Sequence, residues 1–345
     1  MNNRSKQHEY DKSFDGYRPI RGLAGWSDKR RCLCARACEG PSSRFAEEAS
    51  IIDNSDHITA QTIHKTGFVQ VNGANLYYEV RGSKAAAKRF PPIILVHGLS
   101  LDNRMWDRQF KIFSKFFLTY RYDIRGHGQS DPVTAPVGLH DDLLGFMDAL
   151  GIEKAYLVGQ SLGGNAVSEV AATYPERVEK VVLIDSGING FQYPTPNVLQ
   201  RIPTYLDIYS TQGREAALSA WVQDPLFSVS YQDPEVRPVL EEIVLNRSCS
   251  LFFNPQFQIR PPTFSRLGQI TAPTLVLIGD LDENEFQAAS DALDKYIPDS
   301  TKIIIPEAGH MANMDKPLTV TFEILKFLLI FTRGHTGVEQ LMLEP

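Results

Sequence analysis

The residues with the most evident chemistry are Gly159-Gln160-Ser161-Leu162-Gly163, followed by Gly164. A serine hydroxyl is a weak nucleophile, so it must project from a sharp turn toward a base. Side chains at the flanking positions would crowd such a turn, and glycine removes them. An apolar strand reads immediately before Ser161 and a helix immediately after, the context a G-x-S-x-G elbow requires. Eight histidines could serve as base. His8, His57 and His64 fall in a polar N-terminal stretch, His335 follows the last helix and His140 opens another. His97 and His127 sit in glycine-bounded loops, with His97 expected to brace its loop rather than move protons. His310, in Ala308-Gly309-His310, directly follows the last strand, at the carboxyl edge where catalytic groups gather in open α/β sheets. It is the expected base.

The third member must accept the other imidazole N–H and stabilise the imidazolium. Gly279-Asp280-Leu281-Asp282 follows a strand ending on the same edge, with Glu283 and Glu285 behind it. From Asp282 to His310 the chain runs 28 residues, room for one helix and one strand. Asp282 is the expected acid; Asp280 and Asp185, the latter at the end of an earlier strand, remain alternatives. Acyl transfer also needs donors aimed at the developing oxyanion. The Leu162 N–H, just after the serine, and the Leu99 N–H in His97-Gly98-Leu99-Ser100 are the expected pair. Trp106, eight residues after Gly98, would line the substrate pocket or pack under that loop.

These groups need a scaffold, and the hydrophobic pattern supplies one. Two alternating runs, 67–71 and 75–80, flank Asn72-Gly73 and read as a β-hairpin. Short apolar strands at 92–96, near 122, 154–158 and 180–184 alternate with helices at 104–117, 139–150 and 162–174. Strands apolar throughout imply a parallel sheet covered on both faces. Residues 187–265 break the alternation with helix, loop and repeated proline; they also carry Tyr205, Tyr209, Trp221, Phe227, Phe252 and Phe253. Strand 274–278, helix 283–296, strand 302–305 and helix 317–331 then resume it. The expected organisation is a core of 65–186 and 266–335 interrupted by a helical cap at 187–265. The cap's aromatic side chains would roof the serine or simply fill the cap's own small core. Residues 1–64 are polar and aperiodic and read as a disordered extension, in which Cys32, Cys34 and Cys38 cluster beside Lys29, Arg30 and Arg31.

Composition excludes several classes. With 35 basic and 41 acidic residues the net charge is −6, a poor match for a phosphate backbone. No apolar run approaches the roughly 18 residues of a membrane span. Four cysteines, three of them crowded into 32–38, make no disulfide framework. Residues 1–30 lack the apolar stretch of a secretory signal, so the expected compartment is the cytoplasm. No H-E-x-x-H or dinucleotide fingerprint occurs, so no metal or organic cofactor is expected.

From about Thr66 to Phe331 the chain resembles the α/β-hydrolase superfamily. The resemblance rests on His97-Gly98, Asp123-Ile-Arg-Gly-His-Gly-Gln-Ser130, Gly159-Gln-Ser-Leu-Gly163, Gly279-Asp-Leu-Asp282 and Gly309-His310. It implies an eight-stranded, mostly parallel sheet with helices on both faces and a helical cap after the sixth strand. It further implies Ser161 as nucleophile, Asp282 as acid, His310 as base, and Leu99 and Leu162 as oxyanion donors. Small-molecule esterases and enol-lactonases have the most similar texture, which implies hydrolysis of a small, largely apolar carboxylic ester or lactone. Haloalkane dehalogenases and epoxide hydrolases resemble the chain but use an aspartate where Ser161 stands. Carbon–carbon bond hydrolases, cofactor-free haloperoxidases or perhydrolases, and non-turnover receptors of this fold keep the same three residues and stay open as alternatives.

Overall fold

A computed structural model describes residues 62–246, 248–255 and 261–329. Strands β1 (Thr62–Val71) and β2 (Ala74–Ser83) form the antiparallel hairpin read from the sequence. Asn72 and Gly73 make its two-residue turn with φ of 48° and 78°, the left-handed pair such a turn demands. β1 starts at Thr62, inside the stretch expected to be disordered: Thr62, Ile63 and His64 pair with Ser83, Gly82 and Arg81. Their order comes from the length of β2, which local polarity does not reveal. The thiols Cys32, Cys34 and Cys38, together with His335, lie outside the described residues.

The remaining strands are β3 (Ile93–Val96), β4 (Thr119–Tyr122), β5 (His127–Gly128), β6 (Ala155–Gln160), β7 (Val178–Ile184), β8 (Ser248–Cys249), β9 (Thr274–Gly279) and β10 (Ser300–Ile305). Eight of them form one sheet in the order β1-β2-β4-β3-β6-β7-β9-β10, parallel from β4 onward. The strands were expected to be apolar on both sides because each face has its own core. Ile93 and Leu95 pack on one face with Phe110, Phe113, Ile324 and Leu328. Ile94 and Val96 pack on the other with Leu143, Phe146, Val167, Val170 and Leu293. Fully burying side chains of this size contributes about 1.5–3 kcal/mol each, which makes the sheet a stiff platform.

Helices α1 (Lys84–Arg89), α2 (Asp107–Phe113), α3 (Leu139–Ala149) and α4 (Leu162–Thr173) precede the break in alternation. Between β7 and β9 the chain forms α5 (Asn197–Gln212), α6 (Arg214–Trp221), α7 (Ser228–Gln232), α8 (Arg237–Asn246) and α9 (Ser250–Phe253). Tyr205, Phe227 and Phe252 surround Trp221 with ring centroids 5.1, 5.3 and 4.8 Å away. These rings pack on one another and share a continuous apolar cluster with Leu101, Met105 and Trp106 of the core. Antiparallel pairing of β8 with β5 ties the end of the insertion to the His127 loop. Helices α10 (Asn284–Tyr296), α11 (Ala312–Asp315) and α12 (Pro317–Leu329) complete the described chain. Among the described residues, no helix is long and apolar enough to cross a membrane.

Candidate active site

Ser161 occupies the junction of β6 and α4 with φ of +50°, a conformation that costs a non-glycine residue strain. The flanking glycines permit it. A Cβ on Gly159 would stand 2.5 Å from the Gly163 carbonyl oxygen, and one on Gly163 would stand 2.3 Å from that of Val96. Ser161 is pinned through its N–H to the Ile184 carbonyl at 3.0 Å.

The loop after β10 brings His310 to it, with Nε2 lying 2.9 Å from Ser161 Oγ. On the other side of the ring, Nδ1 lies 3.0 and 3.2 Å from the two Asp282 carboxylate oxygens. These partners set the tautomer: Nδ1–H donates to Asp282, and the free Nε2 accepts the serine proton. Both side chains are sealed from solvent, His310 at 2% and Asp282 at 0% exposure. Burial raises the Asp282 pKa, and the imidazole beside it pulls the other way. Asp282 Oδ1 also accepts the Glu283 N–H at 2.7 Å, and the Phe286 ring lies 4.0 Å from the imidazole centroid. The imidazole is thus held by a carboxylate at one edge and an aromatic ring against its face.

The other candidate acids do different work. Asp280 is exposed, and its Oδ1 accepts the Ala308 N–H at 3.3 Å. Asp185, fully buried at φ +47°, accepts the Gly279 N–H and the Ala312 N–H, each at 3.0 Å. One carboxylate therefore braces both loops that carry Asp282 and His310. Burial and the neighbouring Asp282 charge hold the Asp185 pKa well above the usual carboxylate range. Glu285 accepts the Val198 N–H at the start of α5, and Glu283 pairs with Arg201 of the same helix.

Leu162 is the first residue of α4, where a backbone N–H has no carbonyl of its own helix to bond. The loop 97–100 lies against the serine, since a Cβ on Gly98 would be 3.3 Å from Ser161 Cβ. His97 holds that loop through both ring nitrogens: Nδ1–H donates to the Gly98 carbonyl at 2.8 Å, and Nε2 accepts the Ile124 N–H at 2.9 Å. Burial lowers its pKa and keeps it neutral, in a role of bracing. Trp106 has no exposed surface and belongs to the apolar cluster with Phe110 and Phe113. Its complete enclosure fits the second of its two expected roles, packing under the loop.

Several polar residues around the site gave no signal in the sequence. Gln160, fully buried, donates from Nε2 to the His310 carbonyl at 2.7 Å, joining the serine turn to the histidine loop. Its position as the variable residue of G-x-S-x-G hid that link. Asp315 accepts the Gly309 N–H at 2.9 Å and the Ser230 hydroxyl.

The fold that carries this arrangement is a known one. The model of the alpha/beta hydrolase fold family matches residues 91–317, and the chain belongs to that family. A protein of Caulobacter sp. (strain K31) named as a carbamate hydrolase, RutD, is 29% identical over 272 residues, covering 73% of this chain and 95% of its own. Carboxylesterase YbfK of Bacillus subtilis is 26% identical over 254 residues, 70% of this chain and 81% of that one. The crystal structure of the enol-lactonase from Burkholderia xenovorans LB400 superposes with a TM-score of 0.65 at 26% identity, covering 76% and 99% of the two chains. The protein is a hydrolase of this family with esterase-like and lactonase-like relatives.

Proposed function

We propose that the protein hydrolyses a small, largely apolar carboxylic ester or lactone through a covalent acyl-serine. The observation that carries this reading is the unbroken hydrogen-bonded run from Ser161 through His310 to Asp282. His310 Nε2 takes the hydroxyl proton as Ser161 Oγ bonds to the substrate carbonyl carbon, and Asp282 stabilises the imidazolium. The carbonyl oxygen, now negative, receives the Leu99 and Leu162 N–H groups. Collapse expels the alcohol, which takes the proton from His310 and leaves Ser161 acylated. Water then loses a proton to His310, attacks the acyl carbon and releases the acid.

A largely apolar substrate fits Phe286 against the imidazole and Leu162 beside the serine. The relatives named as carboxylesterase and enol-lactonase act on the two bond types proposed. The insertion between β7 and β9 serves as the cap over this site. A fluorophosphonate probe should label wild-type protein at Ser161, and p-nitrophenyl acetate and butyrate should be turned over. Ser161→Ala should abolish both while leaving the melting temperature near wild type. Labelling elsewhere, or a variant retaining more than about a tenth of the rate, refutes the assignment.

A further inference from the structure

The insertion reaches the site through a tryptophan. Trp221, at the end of α6, donates its indole N–H to Ser100 Oγ at 2.6 Å, with the two residues only 1% and 3% exposed. Ser100 immediately follows Leu99, whose N–H the proposed mechanism uses. It holds φ of +63°, a left-handed conformation that a serine adopts only under constraint. Its own N–H donates to His127 Nε2 at 3.1 Å, so a second ring, from another loop, grips the same residue. Burial depresses the His127 pKa to about 3, so that nitrogen remains an acceptor at neutral pH. Trp221 cannot swing, because Tyr205, Phe227 and Phe252 enclose its ring.

The other two loops of the site are tied to the insertion as well. Arg201 of α5 pairs with Glu283, next to Asp282. Ser230 of α7 donates to Asp315, which holds the Gly309 N–H next to His310. Each of these loops thus has a polar tie to the insertion, and the tie to the oxyanion loop comes from Trp221.

Resting on the acyl-serine reading, we infer that Trp221 is a positioning residue for the oxyanion loop. Its bond to Ser100 keeps the strained turn in the geometry that aims the Leu99 N–H at the developing oxyanion. An oxyanion donor stabilises the transition state only if it stands in place before charge develops, and a displacement of about 1 Å is expensive. Without the indole N–H, Ser100 can relax toward negative φ and carry Leu99 with it.

Trp221→Phe keeps an aromatic ring and deletes the donor; Ser100→Ala deletes the acceptor and leaves the tryptophan intact. Both should lower kcat about tenfold with KM within about twofold, the pattern of a lost transition-state interaction. Affinity for phenylboronic acid, whose adduct with Ser161 places an oxygen in the oxyanion position, should fall by the same factor as kcat. Inhibition by butyrate, a ground-state product of p-nitrophenyl butyrate hydrolysis, should be unchanged. The double variant should be no worse than either single one, since both delete one bond. A raised KM at constant kcat would make Trp221 a wall of the acyl pocket and overturn the inference. So would equal losses of boronate and butyrate binding, or additive effects in the double variant. If Trp221→Phe does not fold, Ser100→Ala carries the same kcat and boronate test alone. Failure of the underlying reading is distinct: the wild type would then show neither turnover nor fluorophosphonate labelling.

Discussion

Asp282→Asn is the substitution with the most direct consequence for the proposed chemistry. His310 becomes an imidazolium while the acyl carbon is tetrahedral, and Asp282 is the carboxylate 3.0 Å from its Nδ1. At an effective dielectric of about 20 and a charge separation of about 4 Å, the pair attracts by about 4 kcal/mol. At 1.36 kcal/mol per decade that amounts to about a thousandfold in rate. An asparagine that turns its amide N–H toward Nδ1 also forces the imidazole proton to Nε2, where it blocks proton uptake from Ser161. The expected fall in kcat is therefore about 10³ to 10⁴, with KM within a few-fold. Folding should tolerate the change, because burial already disfavours the Asp282 charge. Asp280→Asn should stay near wild type, since Asp280 is exposed and bonded to the Ala308 N–H. Turnover of p-nitrophenyl butyrate, with a thermal melt of each variant, decides the matter. A healthy Asp282→Asn or a crippled Asp280→Asn would refute the reasoning.

Three further substitutions or treatments test other parts of the structure. Gly159→Ala places a Cβ 2.5 Å from the Gly163 carbonyl oxygen, so backbone must move. Denaturant unfolding should show a loss of about 1–3 kcal/mol or more, and fluorophosphonate labelling should slow. His127 gives a pH test: the unfolded chain takes up its proton near pH 6.5, the folded one only at about 3. Stability from this group is complete above pH 6.5 and is lost as pH falls through that window, about 2–3 kcal/mol by pH 4.5. His127→Gln, which keeps an acceptor for the Ser100 N–H, should show a shallower drop in urea melts between pH 7 and 4.5; an unchanged slope would exclude His127 as its source. Burial pushes the Cys249 thiol up to about 12. At pH 8 it should resist iodoacetamide until the protein is denatured, as read by mass spectrometry of its peptide.

What the sequence made legible follows from which interactions are local. The Asn72-Gly73 turn, the two-faced apolar strands and the glycines around Ser161 are each dictated by neighbours within a few residues, and each is found where expected. The short helices α1 and α11 escaped notice because Lys84–Arg89 and Ala312–Asp315 are too brief to show a helical period. Asp282 could be preferred over Asp280 only by pattern; burial and contact with His310 now separate them. Trp106 and the aromatic residues of the insertion were ambiguous because an apolar pocket and an apolar core draw on the same side chains. The bond between Trp221 and Ser100 spans 121 residues, and no periodicity reports such a pair.

That span belongs to a wider feature of the site, whose partners are scattered along the chain. Ser161 and His310 are 149 residues apart, and Arg201 stands 82 residues before Glu283. At a synthesis rate of about 5–20 residues per second, the elbow and its glycine loop leave the ribosome about 7–30 s ahead of His310. On the proposed mechanism, a nascent chain therefore carries a serine with no partner to activate it until the last parallel strand docks. On that mechanism, a chain that ends before His310 carries the serine elbow without its base, and the elbow alone is no hydrolase.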